Sequence, residues 1–207
     1  MRTDLHPDWT IPPTSPGWAG RIEQFMGPGK TRAESAVEYL GGAVCVLLLL
    51  AYCRPELDGW SLAERVVLVV IVLDLVGGVL TNATNSAKRW YHRTRSSRGR
   101  LSFVAVHTLH LAVVGLWLLG DPTWFLGNTV LLMGSALLIE SVPAYLRRPV
   151  AMAAFMAVFS INLIAFPVPA ALVWFIPLFS LKLLICHLIP EIPVATGTRP
   201  ARQAEPG

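Results

Sequence analysis

Asp74 stands in the middle of an unbroken apolar run, residues 66–80, and the next apolar run opens with two histidines three residues apart, His107 and His110. Residues at that spacing share one helix face, so two imidazoles can point at one ion. Two histidines with a carboxylate suit a divalent metal, zinc or iron, with positions left for water or substrate. Counted inward from Arg100 at the rise of a helix, His107 and His110 lie about 10–15 Å below the interface, and Asp74, inward of Lys88 and its neighbours on the preceding run, is expected in the same half, so the three can meet. Such a metal would activate a water, with Asp74 in the catalytic set and Glu140, also in the inner half of its run, as general base. The bland alternatives are histidines bonding across helices and a Glu140 that reaches the interface or pairs with Arg147 or Arg148. A buried charge at bilayer depth is costly, so Asp74 should face a bundle interior and mark a site.

Around Asp74 the same run carries Gly77, Gly78, Thr81 and Asn85 at helical steps of three and four, one polar and small stripe. The glycines also suit plain close packing of helices. If the helix runs on, Lys88 and His92 extend the stripe. Together with Arg89, the residues Asn85, Lys88 and His92 form a candidate site for a substrate headgroup, phosphate-bearing by the charge of the segment. On the last run Ser180, Leu184, His187 and Glu191 share a face, with Lys182 off to one side. His187 and Glu191 fall near the boundary, where a snorkelling, solvated role is the default, and Lys182 lies deeper. These three are secondary site residues.

The elements that must position these groups are membrane spans. Hydrophobic residues make up 54% of the 207 and charged ones only 14%, too apolar a balance for a water-soluble domain of this length. Six apolar runs, residues 36–53, 62–81, 101–120, 123–142, 150–166 and 168–189, each come near the roughly 20 residues that span a hydrocarbon core. The expected fold is therefore all-α: a polytopic transmembrane helix bundle of six spans over residues 35–190. Residues 1–34 read as a Pro- and Trp-containing arm, in which residues 17–26 can form a short interfacial helix with Trp18, Ile22, Phe25 and Met26 on one face. Residues 191–207 read as a disordered tail. Thr31 and Glu34 have the spacing of a capping box and place the first helix start. The short connections at residues 120–122 and 166–169 make hairpins of the neighbouring spans. A cleavable signal is not expected, because the first 35 residues lack an apolar core.

Lys88, Arg89, Arg93, Arg95, Arg98 and Arg100 fall in one connection, Arg147 and Arg148 in another, and more basic residues in both tails. With short basic segments retained inside, both termini are expected to be cytoplasmic, in a multi-pass protein of the cell membrane. The net charge of +4 is then mainly a topology signal; its expected partners are the bilayer and anionic lipid headgroups, not nucleic acid. Cys45, Cys53 and Cys186 show no paired spacing and read as small buried hydrophobes. Residues 27–31, Gly-Pro-Gly-Lys-Thr, lack the earlier glycine and the strand of a phosphate-binding loop.

The order of an acidic residue on one span and Phe103-Val-Ala-Val-His107 opening the next distantly resembles the lysoplasmalogenase-type family of small polytopic lipid hydrolases. The chain departs from that family where Leu73 precedes the aspartate in place of glycine, and it has no late Ser-Asp pair, so the likeness stops short of membership. The readings that follow are a metal-dependent enzyme acting on a lipid or other amphiphile, a proton-coupled transporter in which Asp74 and the histidines titrate, and a non-catalytic scaffold subunit.

Overall fold

The computed structural model describes residues 5–94 and 96–196. In chain order it contains β1 (Leu5–Pro7), α1 (Gly17–Met26), α2 (Arg32–Glu56), α3 (Leu62–Ala83), α4 (Asn85–His92), α5 (Ser97–Leu118), α6 (Pro122–Ser141), α7 (Ala144–Ala165), α8 (Ala170–His187) and β2 (Val194–Thr196). Helix accounts for 77% of the chain, so the fold is all-α. Helices α2, α3, α5, α6, α7 and α8 are each long and apolar enough to cross a membrane, as a multi-pass protein requires.

The helix starts follow local chemistry. Thr31 caps α2, accepting from the Glu34 N–H while the Glu34 carboxylate accepts from the Thr31 N–H, the capping box anticipated from the sequence. Ser61 and Glu64 do the same for α3. Asp121 caps α6 by accepting from the Thr123 and Trp124 N–H groups at 2.9 and 3.0 Å, and Gly120 supplies the left-handed backbone (φ +62°) of the turn before it. α2 and α7 are longer than their apolar runs, because polar capping and basic turns continue the helix beyond the hydrophobic pattern; α7 even carries Pro149 inside its length.

Helix α8 is the hub. Two-thirds of its apolar window (67%) is buried inside the protein, against 17–33% for the other five. It packs against α3, α6 and α7, and Phe175, Phe179, Leu183 and Leu184 fill the core with Leu68, Val72 and Leu75 of α3 and Leu111 of α5. The outward sides of the other helices stay apolar and exposed, for example Leu47, Val70, Leu109 and Val130. Such faces are at home in lipid. Cys53 is buried, whereas Cys45 is exposed and Cys186 half-buried: not every cysteine is a core residue, since an apolar thiol can equally face lipid.

α3 does not run on into α4. Thr84 adopts extended backbone and its hydroxyl accepts from the Ala87 N–H, ending one helix and capping the next. Lys88 and His92 therefore do not extend the Asp74 stripe. Near α4 the two ends of the chain meet: β1 pairs antiparallel with β2, Leu5 opposite Thr196 and Pro7 opposite Val194. The stretch of the tail up to Thr196 is thus ordered by pairing, and residues 197–207, also read as disordered tail, lie outside the described residues.

Candidate functional site

Asp74 Oδ2 accepts a hydrogen bond from Lys182 Nζ at 2.6 Å, and His110 Nε2 lies 3.0 Å from the same oxygen. The Lys182 side chain is 3% exposed and that of Asp74 38%, so the ammonium is enclosed while part of the carboxylate stays open. Among the described residues Asp74 Oδ1 accepts no hydrogen bond.

Two local features seat Lys182. The final part of α8, Leu181–His187, is π-helical, and bonding from residue i to i+5 brings side chains five apart toward one side. Lys182 and His187, on different sides of an ideal α-helix, are both turned inward and buried. Facing them on α3 is Gly78, where a Cβ would collide with the aliphatic stem of Lys182. Gly78 thus makes room for the lysine, a role more specific than general packing. At Gly77 a Cβ would meet nothing within 4 Å.

The histidines continue inward from this pair. His107 stacks parallel on His110, ring centroids 5.2 Å apart and planes 7° apart. The His107 Nδ1–H donates to the Phe103 carbonyl at 2.7 Å, which fixes the tautomer and leaves Nε2 as the lone-pair nitrogen. Phe103 lies between His107 (4.3 Å) and His187 (4.0 Å), and His92 follows at 6.3 Å from His187. Four of the chain's five histidines thus belong to one file of rings.

A cavity of about 450 Å³ opens onto this centre, with Asp74, His107 and Lys182 in its wall, within the roughly 300–1,000 Å³ of ligand-sized sites. Its lining is mostly apolar, with Leu73, Gly77 and Phe103 beside the polar Thr81, Asn82 and Tyr91, and Ile22, Phe25 and Met26 of α1 also border it. The Tyr91 hydroxyl donates to the Phe25 carbonyl at 2.6 Å, tying α1 to α4. Burial raises the Tyr91 pKa, so the phenol stays a proton donor.

The structure thus brings together Asp74, His107 and His110, and adds Lys182 as the direct partner that helical spacing had set to one side. A lone cation in the last apolar run was the available signal. Glu140 stands apart. Its carboxylate takes Arg100 Nε at 2.5 Å, Arg100 Nη2 at 2.7 Å, Ser97 Oγ at 2.8 Å and Arg147 Nη1 at 3.1 Å. Those donors occupy both oxygens, and Glu140 works as a clamp joining α5, α6 and α7.

The residues read as a headgroup site are engaged within the protein. Lys88 Nζ donates to the Cys186 and Ile189 carbonyls at 2.5 and 2.9 Å, capping the end of α8 where helix carbonyls lack partners. Burial lowers its pKa. Arg89 pairs with Asp8 at 2.8 Å, Asn85 Oδ1 accepts from the Val194 N–H at 3.2 Å, and Glu191 pairs with Arg148 at 2.8 Å. Each holds an arm of the chain to α4 or α7. The His92 imidazole, buried beside Lys88 and Arg100, is pushed down to about 4 and is neutral at physiological pH.

The fit to a metal is limited by Lys182. Its ammonium sits against the Asp74 oxygen a cation would need, and among the described residues no three of His, Cys, Asp and Glu are grouped to hold one ion. What the arrangement can do directly is move a proton: an acceptor oxygen is free, a cation lies beside it and an imidazole backs it. No protein-family model, curated protein or solved structure matches the chain.

Proposed function

We propose that this chain is a membrane-embedded hydrolase of a lipid-type amphiphile, with Asp74 and Lys182 as its catalytic residues and His110 as the group that positions Asp74. It resides in the cell membrane with the basic end, which carries α4, on the cytoplasmic side. One observation carries the reading: the Asp74–Lys182 pair lies at the wall of a largely apolar cavity. The apolar lining suits an acyl chain, and the charged pair in its wall the ester linkage beneath a headgroup.

In the proposed reaction Asp74 Oδ1 takes a proton from water, and the hydroxide attacks the carbonyl or phosphoryl centre. The bond to the departing oxygen breaks, and the proton held by Asp74 passes to that oxygen. Lys182 lies beside the oxygen on which negative charge develops, where a fixed cation in a desolvated site is most effective. His110 Nε2–H holds the carboxylate in orientation, and His107 backs His110 by stacking.

The protein in vesicles of inner-membrane lipid extract, followed by mass spectrometry of the lipids, should release a product that Asp74→Asn and Lys182→Met both abolish. Identical lipid profiles for parent and variants would end the hydrolase reading. Stoichiometric zinc or iron in purified protein, lost on His110→Ala, would instead favour the metal-assisted form at Asp74, His107 and His110. A proton-coupled carrier is the second reading, favoured by a charged pair that joins α3 to the central helix α8; it predicts solute uptake driven by a pH step without lipid turnover.

A further inference from the structure

We infer that α1 is a lid lying in the headgroup layer of the inner leaflet, and that the cavity beside Asp74 fills sideways from that leaflet. The inference rests on the proposed reading of the cavity as a substrate site and names the source of the substrate. α1 is an awkward helix for water. Trp18, Ile22 and Phe25 are 77%, 58% and 72% exposed, and only Gly20 of its ten residues is buried. Yet Ile22, Phe25 and Met26 also close the cavity that reaches Asp74.

The exposed side of α1 is continuous with surfaces that lipid must cover. Tyr39 and Leu40 on the adjoining stretch of α2 are exposed, Tyr39 borders a hollow with Ile22 and Met26, and Leu73 on α3 is exposed where it lines the cavity. A bilayer that surrounds the spans therefore reaches α1 without a break. Arg21 lies over the Trp18 ring at 4.9 Å, an arrangement suited to the headgroup level, where an indole and a cation each find partners.

α1 is also held as a lid would be. Its C-terminal end is anchored, because Gly27 lies so close to the α4 backbone that a Cβ there would collide with Ser86 and Ala87. The remaining ties are few: the Tyr91 hydroxyl to the Phe25 carbonyl, the Tyr39 hydroxyl to Met26 Sδ, Ser15 to the Glu23 carboxylate and Gln24 Nε2 to the Thr14 hydroxyl. Gly17 and Gly27, both at positive φ, bound the helix and leave its ends free of side-chain constraint.

The test uses the full chain in phosphatidylcholine vesicles. A bimane attached at Ile22→Cys should be quenched by lipids carrying a nitroxide at the headgroup and spared by a water-soluble nitroxide. The opposite pattern, or protection from both with formation of a dimer cross-linked through the introduced thiol, would overturn the membrane-seated lid in favour of water or of a second copy. Gly77→Cys, which has space for its side chain, reports the cavity through its alkylation rate with a dodecyl maleimide. Tyr91→Phe should speed that reaction about fivefold, the worth of one hydrogen bond; no change would remove the lid. Asp74→Asn serves as the separating control, since it should abolish lipid turnover while leaving quenching and alkylation as they were. Failure of the lid thus shows in the labels alone, and failure of the hydrolase reading in the lipid profile alone.

Discussion

The oxygen shared by Lys182 and His110 makes Asp74 part of a unit that cannot be dismantled singly without cost. Asp74→Asn leaves the ammonium of Lys182 buried without its counter-charge, a loss of about 3–5 kcal/mol for a desolvated pair. Lys182→Met should cost less, because Asp74 keeps His110 and is partly open. The double variant should regain most of the loss, and thermal unfolding in detergent will measure all three. Strictly additive losses would mean that the two side chains do not interact. Gly78 belongs to the same unit, since any side chain there competes with Lys182 for space.

Among elements, the clamp at the basic end is the most exposed to test. Glu140 faces Arg100 and Ser97 from α5 and Arg147 from α7, so Glu140→Gln sets two guanidinium groups together without neutralisation. The unfolding temperature should drop, and Arg100→Met added to it should restore part of the drop. A Glu140→Gln protein of unchanged stability but no activity would return the residue to the role of general base.

α4 supplies a pH dependence at the same scale. The unfolded His92 titrates near 6.5 and the folded one at about 4, beside Lys88, Arg100, Glu140 and His187. Between those values the unfolded chain binds a proton that the folded one refuses. The contribution of neutral His92 is therefore complete above about 6.5 and lost as the pH falls through about 4. Unfolding temperatures measured from about pH 7 to about pH 4 should fall for the parent and fall less for His92→Gln.

For the whole molecule the arrangement of basic residues predicts an orientation. Single cysteines placed at Arg98 and at Asp121 should label from opposite faces of a sealed vesicle. Labelling of both from one face would overturn the six-span order. The central position of α8 adds a constraint: it is enclosed by helices whose outward sides are apolar, so polar side chains on α8 find their partners inside the protein. That is where Lys182 is found.

The sequence by itself determined what depends on neighbouring residues. Six apolar runs became six helices long and apolar enough to cross a membrane, because length and hydropathy are carried by each run itself. Thr31 with Glu34 starts a helix through its own hydrogen bonds, and Trp18, Ile22, Phe25 and Met26 share a face because helical repeat puts them there. That Asp74 could lie near His110 and His107 was legible from their place in successive runs. Tertiary structure alone decided which groups share a desolvated space. Lys182 meets Asp74 across 108 positions because α8 lies at the centre and winds as a π-helix beside a glycine. Lys88, Arg89 and Asn85 turn to the arms of the chain because Thr84 redirects the helix and β1 meets β2 beside it. Hydropathy and capping are local quantities that a stretch of chain carries with it, whereas the partner of a buried charge depends on the order and rotation of helices that no single stretch contains.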